Sequence, residues 1–152
     1  MNRKTAREIA VQLCFACANS DQSADEVTER FFIEEHYGSL LTEDALFMEQ
    51  PDKKQLSYIR RLVSLTEEKR EEIDEYIEKY AKGWKLSRIS KTALAVLRCA
   101  IAEIRYMEDV PASVAINEAV ELDKGYDEPE TVAFVNGVLG AFMRGEIEKE
   151  SE

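Results

Sequence analysis

Val110-Pro111-Ala112-Ser113-Val114-Ala115-Ile116-Asn117-Glu118-Ala119-Val120-Glu121-Leu122 is followed, across the polar loop Gly125-Tyr126-Asp127, by Phe134-Val135-Asn136-Gly137-Val138-Leu139. In both segments apolar residues recur three and four positions apart, the spacing that gathers them on one face of a helix. Pro111 and Pro129 stand where first turns would begin, an N1-like position whose N–H has no intrahelical acceptor to lose. The pattern therefore predicts two closing helices. Asn117, Asn136 and Gly137 interrupt their apolar stripes with residues that amphipathicity alone does not require.

Working back from there, the same spacing fills most of the chain. Leu94, Leu97, Ile101 and Ile104 make the strongest stripe and predict a central fifth helix, entered from Trp84 and Leu86. Thr5-Ala6-Arg7-Glu8 reads as a capping box opening a first helix from about Ala6 to Ala18, with Ile9, Leu13 and Cys17 on one stripe. Ser23-Ala24-Asp25-Glu26 repeats that signal for a second helix to about His36, burying Val27 and Phe31. A third, from about Asp52 to Leu65, presents Leu56, Ile59 and Leu62 or Val63, and Thr66 is expected to cap a fourth carrying Ile73, Ile77 and Tyr80. Residues 38–51 read as a connection held down by Leu40, Leu41, Leu46 and Phe47, with a short helix from Glu43 as the alternative. Six glycines, three prolines and almost no β-branched alternation complete the reading: an all-α, single compact helical domain of about seven helices over residues 1–145. The acidic stretch 146–152 is expected to fray as a disordered tail.

A chain of 152 residues buries roughly 70% of its unfolded surface, so its core needs no disulfide or metal staple. No apolar run approaches the ~20 residues that cross a bilayer, and no secretory leader is recognisable, which predicts a soluble cytoplasmic protein without a membrane partner. Cys14, Cys17 and Cys99 lie in apolar helical surroundings and read as reduced core thiols. The net charge of −11 excludes a surface that is wholly a nucleic-acid footprint, because non-specific affinity comes from Lys and Arg neutralising phosphates. The acid is concentrated at the two ends, leaving the middle neutral and the extreme N-terminus, Arg3-Lys4-x-x-Arg7, locally basic.

Catalysis has no carrier in this pattern. The single histidine, His36, has no recognisable nucleophile partner. Cys14 and Cys17 have C-x-x-C spacing but lie mid-helix without a second pair, which predicts neither a zinc site nor a redox motif. Gly137 and Gly140 sit inside a helical pattern and build no phosphate cradle. No cofactor or metal is expected. Binding does have candidates: Arg3, Lys4 and Arg7 flank a helix start whose free N–H groups favour phosphate, and Tyr126 sits in a loop where an aromatic can stack on an unpaired base. Phe134 reads first as a rung of the apolar stripe. Arg98, on the best-patterned helix, is expected to pair with a carboxylate such as Glu118 or Glu103, since an unpaired charge there is costly.

The blocks Arg7-Glu8-x-Ala10-Val11-Gln12, Leu97-Arg98-x-Ala100-x-x-Glu103, Val110 to Leu122 and Phe134 to Leu139 together make the chain, from Thr5 to about Phe142, resemble the NusB family of transcription antitermination factors. The resemblance implies two packed helical subdomains. It implies no enzyme but an RNA-binding factor that holds the single-stranded boxA element of ribosomal RNA leaders together with the ribosomal protein NusE, within the RNA polymerase antitermination complex. It places the RNA grip on Arg3, Lys4, Arg7 and Tyr126, with Phe134 beside them. It makes Arg98, Asn117, Glu118, Asn136 and Gly137 signature positions, read as structural: buried amides and acids joining helices, and a glycine that admits a neighbouring helix closely. Only three N-terminal cations precede Glu8 where relatives often carry a longer arginine run, so a three-phosphate grip predicts a salt slope of about −2. Two alternatives come with the family, a homodimer that covers the RNA surface and a regulatory domain related to ribosomal RNA methyltransferases.

Overall fold

The computed structural model describes residues 1–41 and 53–148, the side chains of 33–41 excepted. Among them are seven α-helices and no strand, in two compact units, Met1–Glu67 and Glu68–Glu152. The expected helix from Glu43, the anchoring by Leu46 and Phe47, and the side chain of His36 lie outside the described residues. No described helix is long and apolar enough to cross a membrane.

The first unit holds α1 (Arg3–Ala18), α2 (Ala24–Leu41) and most of α3 (Lys53–Glu68). The expected capping box at Thr5 is displaced by one turn: Asn2 is the cap, its Oδ1 accepting the Thr5 N–H at 2.8 Å. Either residue type can satisfy an orphan helix donor, and the upstream one prolongs the helix. Ser23 caps α2 as expected, taking the Glu26 N–H at 3.1 Å, and α2 then runs past His36 to Leu41. Ile9, Leu13, Cys17, Val27, Ile59, Leu62 and Val63 are buried. Thr66 is not the cap of a fourth helix. It lies inside α3, where its hydroxyl donates to the Leu62 carbonyl one turn back at 2.7 Å, the competing bond open to any mid-helix threonine.

The second unit packs α4 (Arg70–Tyr80), α5 (Lys91–Tyr106), α6 (Ala112–Asp123) and α7 (Pro129–Phe142) around α5, which touches the other three. Of the expected central stripe Leu97, Ile101 and Ile104 are buried and Leu94 is half-buried, and the buried face is wider than expected, taking in Ala95, Val96, Cys99, Ala100, Ala102 and Glu103. Ser90 caps this helix by accepting the Ala93 N–H at 3.1 Å. Trp84 and Leu86 therefore lie before α5 rather than in it, Leu86 in a single 3-10 turn, Leu86–Arg88. Pro129 occupies the first turn of α7 as expected, whereas Pro111 is the N-cap of α6, its carbonyl taking the Val114 and Ala115 N–H groups at 3.1 Å each. All three cysteines are buried, and none is in a disulfide.

Arg98 makes a two-pronged pair, but with Asp74 of α4: Nε to Oδ1 at 2.8 Å and Nη2 to Oδ2 at 2.9 Å. The partner is neither Glu103 nor Glu118, and the choice of Asp74 cross-links α4 to α5 at the planar fork geometry that guanidinium favours. The expected tail from Glu146 begins as structure: α7 widens into π-helical turns over Met143–Glu148. Residues 149–152 lie outside the described residues.

Candidate nucleic-acid interface

In the first unit, the basic residues form the first turns of α1 rather than a separate arm. Arg3 is half-buried, its Nε donating to Gln55 Oε1 at 2.9 Å and its guanidinium 4.0 Å from the centre of the Tyr58 ring. Arg7 is buried, 5.8 Å from the same ring. Lys4 is exposed. The first turn of α1 carries Arg3 and Lys4 and no acid, the arrangement least favourable to the positive end of a helix dipole unless an anion joins it.

In the second unit, the α4–α5 connection reads Lys79-Tyr80-Ala81-Lys82-Gly83-Trp84-Lys85. The Trp84 N–H returns to the Ala81 carbonyl at 3.0 Å, and Gly83, at φ +83°, takes the third position of that turn, where side-chain-bearing residues are disfavoured. The turn leaves Trp84 51% exposed, and its ring meets Phe134 of α7 at 5.3 Å between centres, tilted by 51°. A cleft of about 630 Å³ opens beside the pair, lined by Lys79, Tyr80, Lys82, Gly137, Ala141 and Arg144. Two aromatic faces thus stand among three cations. Phe134, expected mainly as a core rung, is part of this surface. Trp84 and the three cations escaped notice in the sequence, although a basic run interleaved with two aromatics is a recognisable signal for nucleic-acid contact.

Tyr126 lies in the α6–α7 loop and is 42% exposed. Beneath it the loop folds onto α6 through the Tyr126 and Asp127 N–H groups, both 2.9 Å from the Asp123 carbonyl. Asp127 accepts the hydroxyls of Ser90 at 3.1 Å and of Thr92 at 3.0 Å. Asp123 itself is fully buried, and neither of its oxygens meets an N–H or O–H donor. Burial, then the facing Asp127, pushes its carboxyl up to about 8, because an ionised carboxylate loses its hydration there and meets a second negative charge.

The signature positions are placed otherwise than expected. Asn117 and Asn136 are exposed, not buried, and Glu118 is half-buried. A Cβ on Gly137 would meet nothing within 4 Å, so no neighbouring helix approaches there; the glycine instead keeps the wall of the cleft low. Arg98 joins two helices, through Asp74. Arg3, Lys4 and Arg7 belong to the first unit, Tyr126 and Phe134 to the second, and within the second unit Phe134 is brought to Trp84 and the cations.

The chain matches the NusB family model over residues 4–144. It is 40% identical over 139 residues to the transcription antitermination protein NusB of Natranaerobius thermophilus, covering 91% of this chain and 92% of that protein. Among solved structures, T. maritima NusB superposes with a TM-score of 0.80 at 27% identity, covering 99% of this chain and 96% of that one. The antitermination factor in a crystal structure of NusB and NusE with double-stranded RNA shares the fold, with a TM-score of 0.77 at 24% identity over 93% of this chain and 96% of that one.

Proposed function

Because this chain belongs to the NusB family, we propose that it is a transcription antitermination factor which binds the boxA element of ribosomal RNA leaders with NusE and helps RNA polymerase resist termination. It acts in the cytoplasm by binding and not by catalysis. The observation that carries the RNA half of this reading is the cleft of the second unit, where Trp84 and Phe134 present ring faces beside Lys79, Lys82 and Arg144. Unpaired bases stack on such faces while cations take the backbone phosphates, a combination worth about 1–3 kcal/mol per stacked base. The family's pattern adds Arg3, Lys4 and Arg7 on α1 and Tyr126 in the loop, and NusE supplies surface that a chain of net charge −11 lacks.

Trp84 is the only tryptophan in the chain, so its fluorescence reports on the cleft directly. Titration with boxA RNA should quench it more strongly than a scrambled sequence does, with tighter binding when NusE is present. Trp84→Ala and Phe134→Ala should each weaken binding about tenfold or more. Parent-like binding by both variants refutes the cleft as the RNA surface.

A further inference from the structure

Two residues that line the cleft are already engaged by an anion of the chain itself. Glu146, in the π-helical turns that continue α7, accepts with one oxygen from Lys79 Nζ at 2.7 Å and from the Tyr80 hydroxyl at 2.6 Å. Both donors come from the end of α4 and both line the cleft. Three features bring the carboxylate there. The π-helical stretch Met143–Glu148 changes the helical phase just after the core anchor Phe142, and such local widening recurs at functional sites. Gly145 lies so close to Tyr80 that a Cβ on it would collide with the phenol oxygen. Tyr80 is itself held edge-on by the Phe142 ring, 6.1 Å between centres. The electrostatics agree: Lys79 holds the Glu146 carboxyl below its ordinary range, and the same bond holds the Lys79 ammonium above its own.

An ammonium and a hydroxyl converging on one oxygen at these distances are the donors that a phosphoryl oxygen would need. We propose that Glu146 is a tethered stand-in for a backbone phosphate, occupying the anion subsite of Lys79 and Tyr80, so that single-stranded RNA fills the cleft only by displacing the chain's own C-terminal turn. This rests on the RNA-binding reading of the cleft. Lys79 keeps 63% of its side chain accessible against 16% for Glu146, so solvent screens the ammonium's side of the contact and leaves it open to a competing anion. It sets a threshold: a strand that cannot place a phosphate at Lys79 does not open the turn.

The test is boxA RNA binding by Glu146→Gln, Gly145→Ala, Lys79→Met and the double variant Glu146→Gln/Lys79→Met, with scrambled RNA as the competitor. Glu148, at the end of the same turn and exposed, provides the control Glu148→Gln, which removes the same charge away from the subsite. Glu146→Gln is expected to bind up to about fivefold tighter than the parent, the range of an exposed ion pair, and Gly145→Ala to move in the same direction by forcing the turn off Tyr80. The gain should vanish in the Lys79→Met background and be absent in Glu148→Gln. Unchanged or weaker binding by Glu146→Gln, or an equal gain from Glu148→Gln, overturns the proposal. These outcomes are separable from failure of the cleft itself, which shows as parent-like binding by Trp84→Ala and Phe134→Ala.

Discussion

Replacing Asp123 with asparagine should strengthen the second unit, and by more as the solution becomes more alkaline. The carboxyl is fully buried, with no donor on either oxygen and Asp127 facing it. In the unfolded chain it ionises near its ordinary value of 3.8, whereas in the folded chain it holds its proton up to about 8. Between those limits folding takes up one proton, so stability is fully present below about pH 4 and is lost as pH rises toward 8. One proton corresponds to a slope of about 1.4 kcal/mol per pH unit. Asparagine keeps the shape, offers an N–H toward Asp127, and titrates nowhere in this range. Its advantage over aspartate should therefore grow by about 2 kcal/mol between about pH 6 and pH 7.5. Urea unfolding at constant ionic strength, followed by the fluorescence of Trp84 in the same unit, measures both variants across that range. The acidic remainder of the chain contributes equally to each and cancels in the difference. Parallel stability curves for parent and Asp123→Asn would show that this carboxyl takes up no proton on folding, and the buried, donorless site described for it would be wrong.

Asp74→Ala should cost about 2–3 kcal/mol in the same assay, because it leaves the Arg98 guanidinium, 12% exposed, without its two-pronged acceptor. Lys4→Ala, at an exposed site, should leave melting unchanged while lowering the salt slope of RNA binding by about 0.7; an unaltered slope removes Lys4 from the grip. Arg7→Ala should behave differently from Lys4→Ala, lowering the melting temperature through loss of a buried side chain stacked near Tyr58, by about 1–3 kcal/mol of stability. A variant that melts like the parent would show that Arg7 does not support the packing around Tyr58.

What was legible in the sequence was whatever rests on local spacing. The α5 stripe, the Ser23 cap and Pro129 at the head of α7 each follow from contacts within one or two turns. Thr5 and Thr66 misled because a hydroxyl can close a helix start or bond backward inside a helix, and only the neighbouring residues' dihedrals decide between them. Arg98 found Asp74, 24 positions earlier, by a packing of α4 on α5 that no local spacing encodes. The candidate site was harder for a related reason. Large apolar residues are expected inside, which hid Trp84, and amides that break an apolar stripe were expected to be buried links, whereas Asn117 and Asn136 face outward. Residues that break a local rule without a structural return are where function is concentrated, and on α7 that rule points to the exposed side of the helix.

Gly83 gives the cleft an economy of a different kind. The indole of Trp84 is aimed by a backbone torsion, φ +83° at the preceding residue, as well as by its packing against Phe134. Alanine there has room for its methyl group, since nothing lies within 4 Å, yet it would have to adopt a left-handed conformation costing about 1–2 kcal/mol. The proposed recognition surface can thus be retuned from an exposed glycine outside the cleft lining, by altering the hinge on which its aromatic is hung.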